Sequence, residues 1–94
     1  MPSQVLAIAA ANTFCPAIPM NQDATFNISV WGIFVGTVTL QRSFDGGTTW
    51  LNVTNYSVPT EDQGHENETG VLYRLGIMTG NYTSGTANVR IGAQ

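Results

Sequence analysis

The chain has 94 residues, with three arginines, no lysine, six acidic side chains and a formal net charge of −3. A chain of this length buries only roughly two-thirds of the surface its unfolded form exposes, so one domain with one modest core is the limit. Arg42, Arg74 and Arg90 stand far apart with no basic neighbour, which excludes phosphate-backbone binding and polybasic attachment to a membrane; neither nucleic acid nor a membrane is expected as a partner.

The first element, Gln4 to Ala11, is a short apolar run that fits either a buried strand or a scrap of helix. It lacks a basic leader and is too short to span a bilayer, so it is read as part of the mature fold. Pro16 and Pro19 then lie within Cys15 to Met20, and two prolines this close exclude a helix interior or a central strand. The stretch is expected as an extended arm or edge segment whose Phe14, Ile18 and Met20 need a surface to cover. On this basis residues 1–22 are assigned to an extended N-terminal arm and residues 23–94 to a β-sandwich domain.

From Ala24 the pattern turns to period two. Ala24, Phe26, Ile28 and Val30 share one face and Thr25, Asn27 and Ser29 the other, which predicts a half-buried strand. After Gly32 a second alternation places Val38, Leu40 and Phe44 inward and Thr37, Thr39, Gln41 and Ser43 outward. Arg42 shares the inward parity and is expected to cap the strand end or to pair with a carboxylate. Asp45-Gly46-Gly47 breaks the run and Trp50, Leu51 and Val53 resume it, the pattern of a β-hairpin.

Asn55 to Gly70 is polar and acidic and is expected as a long exposed loop with one short strand near Val58. Val71, Tyr73, Leu75 and Ile77 define another strand, Asn81 to Gly85 a turn, and Ala87, Val89 and Ile91 a last strand. No long segment has helical periodicity. Strands separated by turn signals every ten or so residues predict an all-β fold, a single small antiparallel β-sandwich or barrel of jelly-roll or immunoglobulin-like type.

Chemistry-bearing residues are sparse. Cys15 is the only cysteine, so no intramolecular disulfide can form, and its apolar neighbours favour a small buried group over a nucleophile. His65, the only histidine, lies beside Glu61, Asp62, Glu66 and Glu68, a set that does not match the spacing of a calcium loop and is read as solvated. The Asn-x-Ser/Thr triplets at Asn27, Asn52, Asn55, Asn67 and Asn81 follow from a composition rich in these residues. Trp31, Trp50, Tyr56 and Tyr82 are candidates for stacking on sugar rings, with core packing as the competing account of Trp50. No nucleophile with a base and orienter, no metal-ligand cluster and no phosphate loop is present in the sequence, so no catalytic, metal or cofactor site is assigned and an enzyme is not expected.

The segment Ser43-Phe44-Asp45-Gly46-Gly47-Thr48-Thr49-Trp50 resembles the Asp-box of sialidases and other β-propellers at each defined position, Ser43, Asp45, Gly47, Thr49 and Trp50. The resemblance implies a turn and not an activity: the carboxylate accepts loop amides, glycine supplies the backbone conformation, and the Trp packs the loop. A sialidase itself is excluded by length, since a propeller needs several four-stranded blades.

More broadly, Gly36 to Trp50, Gly70 to Arg74 and Tyr82 to Ile91 look like segments of small β proteins encoded by tailed bacteriophages, a similarity that runs from about Phe26 to the end of the chain. The resemblance implies a structural virion protein, a capsid decoration (cement) protein on the outer capsid surface. Its implied partners are the major capsid protein and further copies of itself, with Phe14, Ile18 and Met20 reaching a neighbouring subunit. The alternative it allows is a carbohydrate- or receptor-binding module of a phage head or tail.

Overall fold

The computed structural model describes residues 3–93, and every regular element in them is a strand. In chain order these are β1 (Ser3–Ile8), β2 (Thr13–Phe14), β3 (Ile18–Pro19), β4 (Ala24–Trp31), β5 (Phe34–Gly36) and β6 (Val38–Ser43). They are followed by β7 (Leu51–Tyr56), β8 (Thr60–Glu66), β9 (Leu72–Ile77), β10 (Tyr82–Gly85) and β11 (Ala87–Ala93). All pairings are antiparallel. One sheet runs β1-β11-β4-β8 and a second runs β2-β9-β6-β7, with β3 also on β9. β5 and β10 form a two-stranded ribbon at the corner where β4 passes toward β6 and β9 toward β11. The architecture is a small all-β, sandwich-like fold.

Period-two alternation places the core between the sheets. Ala24, Phe26, Ile28 and Val30 of β4 and Ala87, Val89, Ile91 and Ala93 of β11 are buried against Val38 and Leu40 of β6 and Tyr73, Leu75 and Ile77 of β9. Phe26 and Tyr73 meet across the layer with ring centroids 4.7 Å apart. Each of the larger aliphatic and aromatic side chains among them contributes about 1.5–3 kcal/mol of transfer free energy, so these strands dominate the stability of the domain.

Five expectations are corrected. The segment assigned to an arm is part of the two sheets: β1 pairs with β11 from Ser3↔Gly92 to Ile8↔Ala87, and β2 and β3 extend β9. Ile18 and Met20, expected to contact a partner, are buried in this chain's own core, with the Met20 amide donating to the Val71 carbonyl at 2.9 Å. The surface they needed to cover is the open side of β9. The prolines fit because β3 is an edge segment, where a missing N–H costs no ladder bond.

The polar stretch 55–70 is not a loop but holds β8, seven residues long and paired with β4 from Ala24↔Glu66 to Val30↔Thr60, while Val58 lies in the bend before it. β6 is buried on both faces, so Thr39, Gln41 and Ser43 are covered although they point away from the core, and Phe44 is exposed. Asn81 to Gly85 contributes β10 beyond its turn.

Ile18→Ala and Met20→Ala should each destabilise the isolated chain by about 2–5 kcal/mol, as core truncations do. Urea unfolding of the purified protein measures this, and unchanged midpoints would restore the arm.

Candidate functional site

Since β6 is covered on both sides, its outward polar side chains need hydrogen-bond partners, and those partners build the most organised surface of the molecule. Ser43 serves the hairpin. Its hydroxyl donates to Asp45 Oδ1 at 2.7 Å and accepts the Gly47 amide at 2.8 Å, while the Thr49 amide donates to Asp45 Oδ1 at 2.8 Å. Gly46 and Gly47 take φ values of 75° and 98°, which L side chains rarely adopt. The Thr49 amide and then the Ser43 hydroxyl hold the Asp45 carboxyl below its ordinary pKa. The turn is stabilised by its own side chains, and Trp50 leaves it on the outer face of the sheet instead of packing into the core.

There Trp50 meets Arg74. The guanidinium carbon lies 4.1 Å from the Trp50 ring centroid and 4.0 Å from that of Phe14, which reaches over from β2. Phe14 can lie there because its register partner is Gly76; a Cβ at that position would collide with the ring and with the Thr13 carbonyl. Two cation–π contacts of about 0.5–2 kcal/mol each fix this arginine more firmly than a surface ion pair would. Burial depresses the Arg74 pKa from its usual value.

Arg74 Nε donates to Gln41 Oε1 at 3.0 Å, and Gln41 Nε2 donates to Asn52 Oδ1 at 2.9 Å and toward Met78 Sδ at 3.4 Å. An arginine has no acceptor, so it dictates which end of the Gln41 amide faces it, and Gln41 in turn dictates the orientation of Asn52. The relay therefore ends with Asn52 Nδ2 directed outward. On the next outward pair of the same strands, Thr39 Oγ1 donates to Asn55 Oδ1 at 3.0 Å, leaving that amide's donor end outward as well. Among the described residues, neither Nη of Arg74 donates to a protein acceptor.

The acidic residues of β8 lie on the other sheet. β8 turns Asp62 and Glu66 inward at the margin of the sandwich, where Tyr56 of β7 donates to Asp62 Oδ2 at 2.8 Å and Tyr73 of β9 donates to Glu66 Oε1 at 2.6 Å. These bonds tie the edge of one sheet to the other. Arg42 points inward as expected and its Nη1 lies 3.9 Å from Glu66 Oε1, with Phe44 under its guanidinium at 5.0 Å. Burial by itself would raise the Glu66 pKa, but the Tyr73 hydroxyl, the Glu68 and Asn67 amides and the Arg42 charge outweigh it, and the carboxyl titrates below its ordinary value. Burial, then the hydrogen bond to Glu66, raises the pKa of Tyr73.

His65 is half-exposed on β8, 3.5 Å from Asp23 Oδ1, and no group of three or more potential metal ligands comes together among the described residues. Cys15 is buried, its sulfur accepting the Leu75 amide at 3.3 Å, and burial raises its pKa. The four aromatics considered for sugar stacking do not share a platform. Tyr56 is buried, Tyr82 donates to the Gly85 carbonyl, Trp31 lies on the opposite sheet, and Trp50 alone joins the Arg74 face.

Sequence reading missed the relay because Arg74 and Gln41 become neighbours only through the β6–β9 register. A second feature it missed is an apolar corner, where Trp31, Ile33 and Val35 are exposed and alternate with the half-buried Phe34. Ile33 is 91% exposed, yet its carbonyl accepts the Thr86 amide at 2.9 Å. Comparison with protein-family models, curated proteins and solved structures finds no match to this chain.

The depressed Glu66 pKa sets an acid limit on stability. The carboxylate contributes fully above its unfolded-state value of 4.5 and its contribution is lost as pH falls through the lower folded-state value. The melting temperature should therefore fall steeply below about pH 4.5. Glu66→Gln, which keeps an acceptor for Tyr73, should lower the melting temperature at pH 7 and flatten that acid limb in a series of thermal melts.

Proposed function

We propose that the protein is a non-catalytic structural component of a virion, a capsid decoration protein that binds the outer surface of the shell and assembles there in many copies. The observation that carries this reading is the apolar corner. Trp31 at the end of β4, Ile33 in the bend and Val35 of β5 project from a corner whose backbone is pinned at Ile33, so an aliphatic and aromatic anchor is presented at a reduced backbone ordering cost. The similarity of residues from about Phe26 onward to small phage β proteins supports it as well. The absence of lysine and the richness in Thr, Ser and Asn suit a domain packed against protein, because long flexible cations lose the most side-chain entropy there. With Ile18 and Met20 committed to the core, the rigid domain replaces the arm as the element that grips the capsid protein.

A second reading, a carbohydrate- or receptor-binding module of a phage head or tail, is favoured by the outward-facing donors of Arg74 and Asn52.

Ile33→Asp leaves the fold intact, since the side chain is exposed, and should lower occupancy of particles at least ten-fold by placing a charge in the contact. Quantitative mass spectrometry of purified particles tests both readings. Copies in fixed ratio to the major capsid protein, lost in the variant, support decoration; a few copies per particle, indifferent to the variant, support the second reading.

A further inference from the structure

The outer face of the β2-β9-β6-β7 sheet is polarised in one direction. Starting at Arg74, each hydrogen bond runs outward along the row, Nε to Gln41 Oε1 and Gln41 Nε2 to Asn52 Oδ1. The acceptor capacity of these side chains is turned toward one another and the donors toward solvent. Asn55, held through its Oδ1 by Thr39, adds a further outward amide. The aspartates, Glu61 and Glu66 are engaged with other groups, and of them Asp45 borders this face, at its hairpin end. Asp62 and Glu66 are bound to tyrosines at the sandwich margin, Glu61 to Ser29, and Asp45 to its own turn. No carboxylate of the described residues forms an ion pair with Arg74. A guanidinium held against two rings, partly desolvated and without a counter-ion, has its fork ready for a planar anion and loses little freedom on binding one.

We infer that this face binds an acidic saccharide, with a uronate carboxylate on the Arg74 fork and ring and hydroxyl oxygens on the amide donors of Asn52 and Asn55. The inference rests on the carbohydrate-binding reading and specifies its ligand class. The row from β9 to β7 spans two strand spacings, about 10 Å, so an isolated small anion fills the fork and leaves the other donors unmet. An oligosaccharide presents oxygens along that length. A peptide lying there brings its own N–H groups, which the donors of Arg74, Asn52 and Asn55 cannot accept.

The test is a titration of the full chain, followed by ¹H–¹⁵N NMR, with a galacturonate trimer, the neutral galactose trimer and a glutamate tripeptide. The uronate should bind saturably, shifting the Arg74 Nε, Trp50 Nε1 and Asn52 and Asn55 side-chain amide signals, and at least ten-fold more tightly than either competitor. Arg74→Gln should abolish binding. Asn52→Asp, which keeps the acceptor for Gln41 Nε2 and removes the outward donor, should weaken it several-fold, and Arg90→Gln on the opposite sheet should leave it unchanged.

Equal binding of the neutral trimer at these residues overturns the carboxylate assignment while the carbohydrate reading stands. Stronger binding of the glutamate peptide overturns the saccharide. No shift on this face with any of the three overturns both the inference and the reading beneath it.

Discussion

The structure depends on the double burial of β6. A central strand with Val38 and Leu40 in the core and Thr39, Gln41 and Ser43 covered on the other side must hydrogen-bond each of those polar groups, because an unpaired buried one costs about 1–3 kcal/mol. Their partners are the hairpin aspartate, the Arg74 side chain and two asparagines of β7. No buried side-chain nitrogen or oxygen among the described residues is left without a partner. The ordered hairpin, the clamped arginine and the aligned amides are thus one solution to one requirement. The proposed binding face is a by-product of satisfying the strand beneath it.

The opposite margin solves a similar problem with charge. β8 puts carboxylates where a core strand would carry aliphatic groups, and tyrosines from the facing sheet supply the hydrogen bonds. A closely bonded carboxylate at a sandwich edge also hinders a foreign strand from docking there, since removing buried Glu66 from its tyrosine leaves a desolvated charge.

The legible parts of the sequence were those in which burial is one-sided. β4, β9 and β11 alternate apolar and polar residues, and each was readable from that pattern together with its inward set. Where burial is two-sided or polar, period-two reading gave the wrong environment. Thr39 and Gln41 are polar by composition but buried against partners on β7 and β9, Asn55 for Thr39 and Asn52 and Arg74 for Gln41, and β8 carries Asp62 and Glu66 on its inward parity. Both cases turn on side chains from strands distant in sequence, which no local window contains. Pro16 and Pro19 correctly signalled an edge, but an edge of this chain's own sheet and an arm toward another chain have the same local pattern. The hydrogen bonds anticipated at Asp45 are present because every partner lies within a few residues.

The strand order also bears on how the chain reaches this state. In the two large sheets, β6 and β7 are the only paired strands that are neighbours in sequence. Every other ladder closes over intervening elements, up to Ser3 meeting Gly92. Chains dominated by such distant pairings fold slowly, because loop-closure entropy is lost before the contacts that repay it can form. Of the ladders in the two large sheets, the one closed by the Ser43–Trp50 hairpin forms at the lowest loop-closure cost. It fixes its register from local bonds alone and offers the first ready edge, that of β6, on which β9 can condense and bring the rest of the sandwich with it.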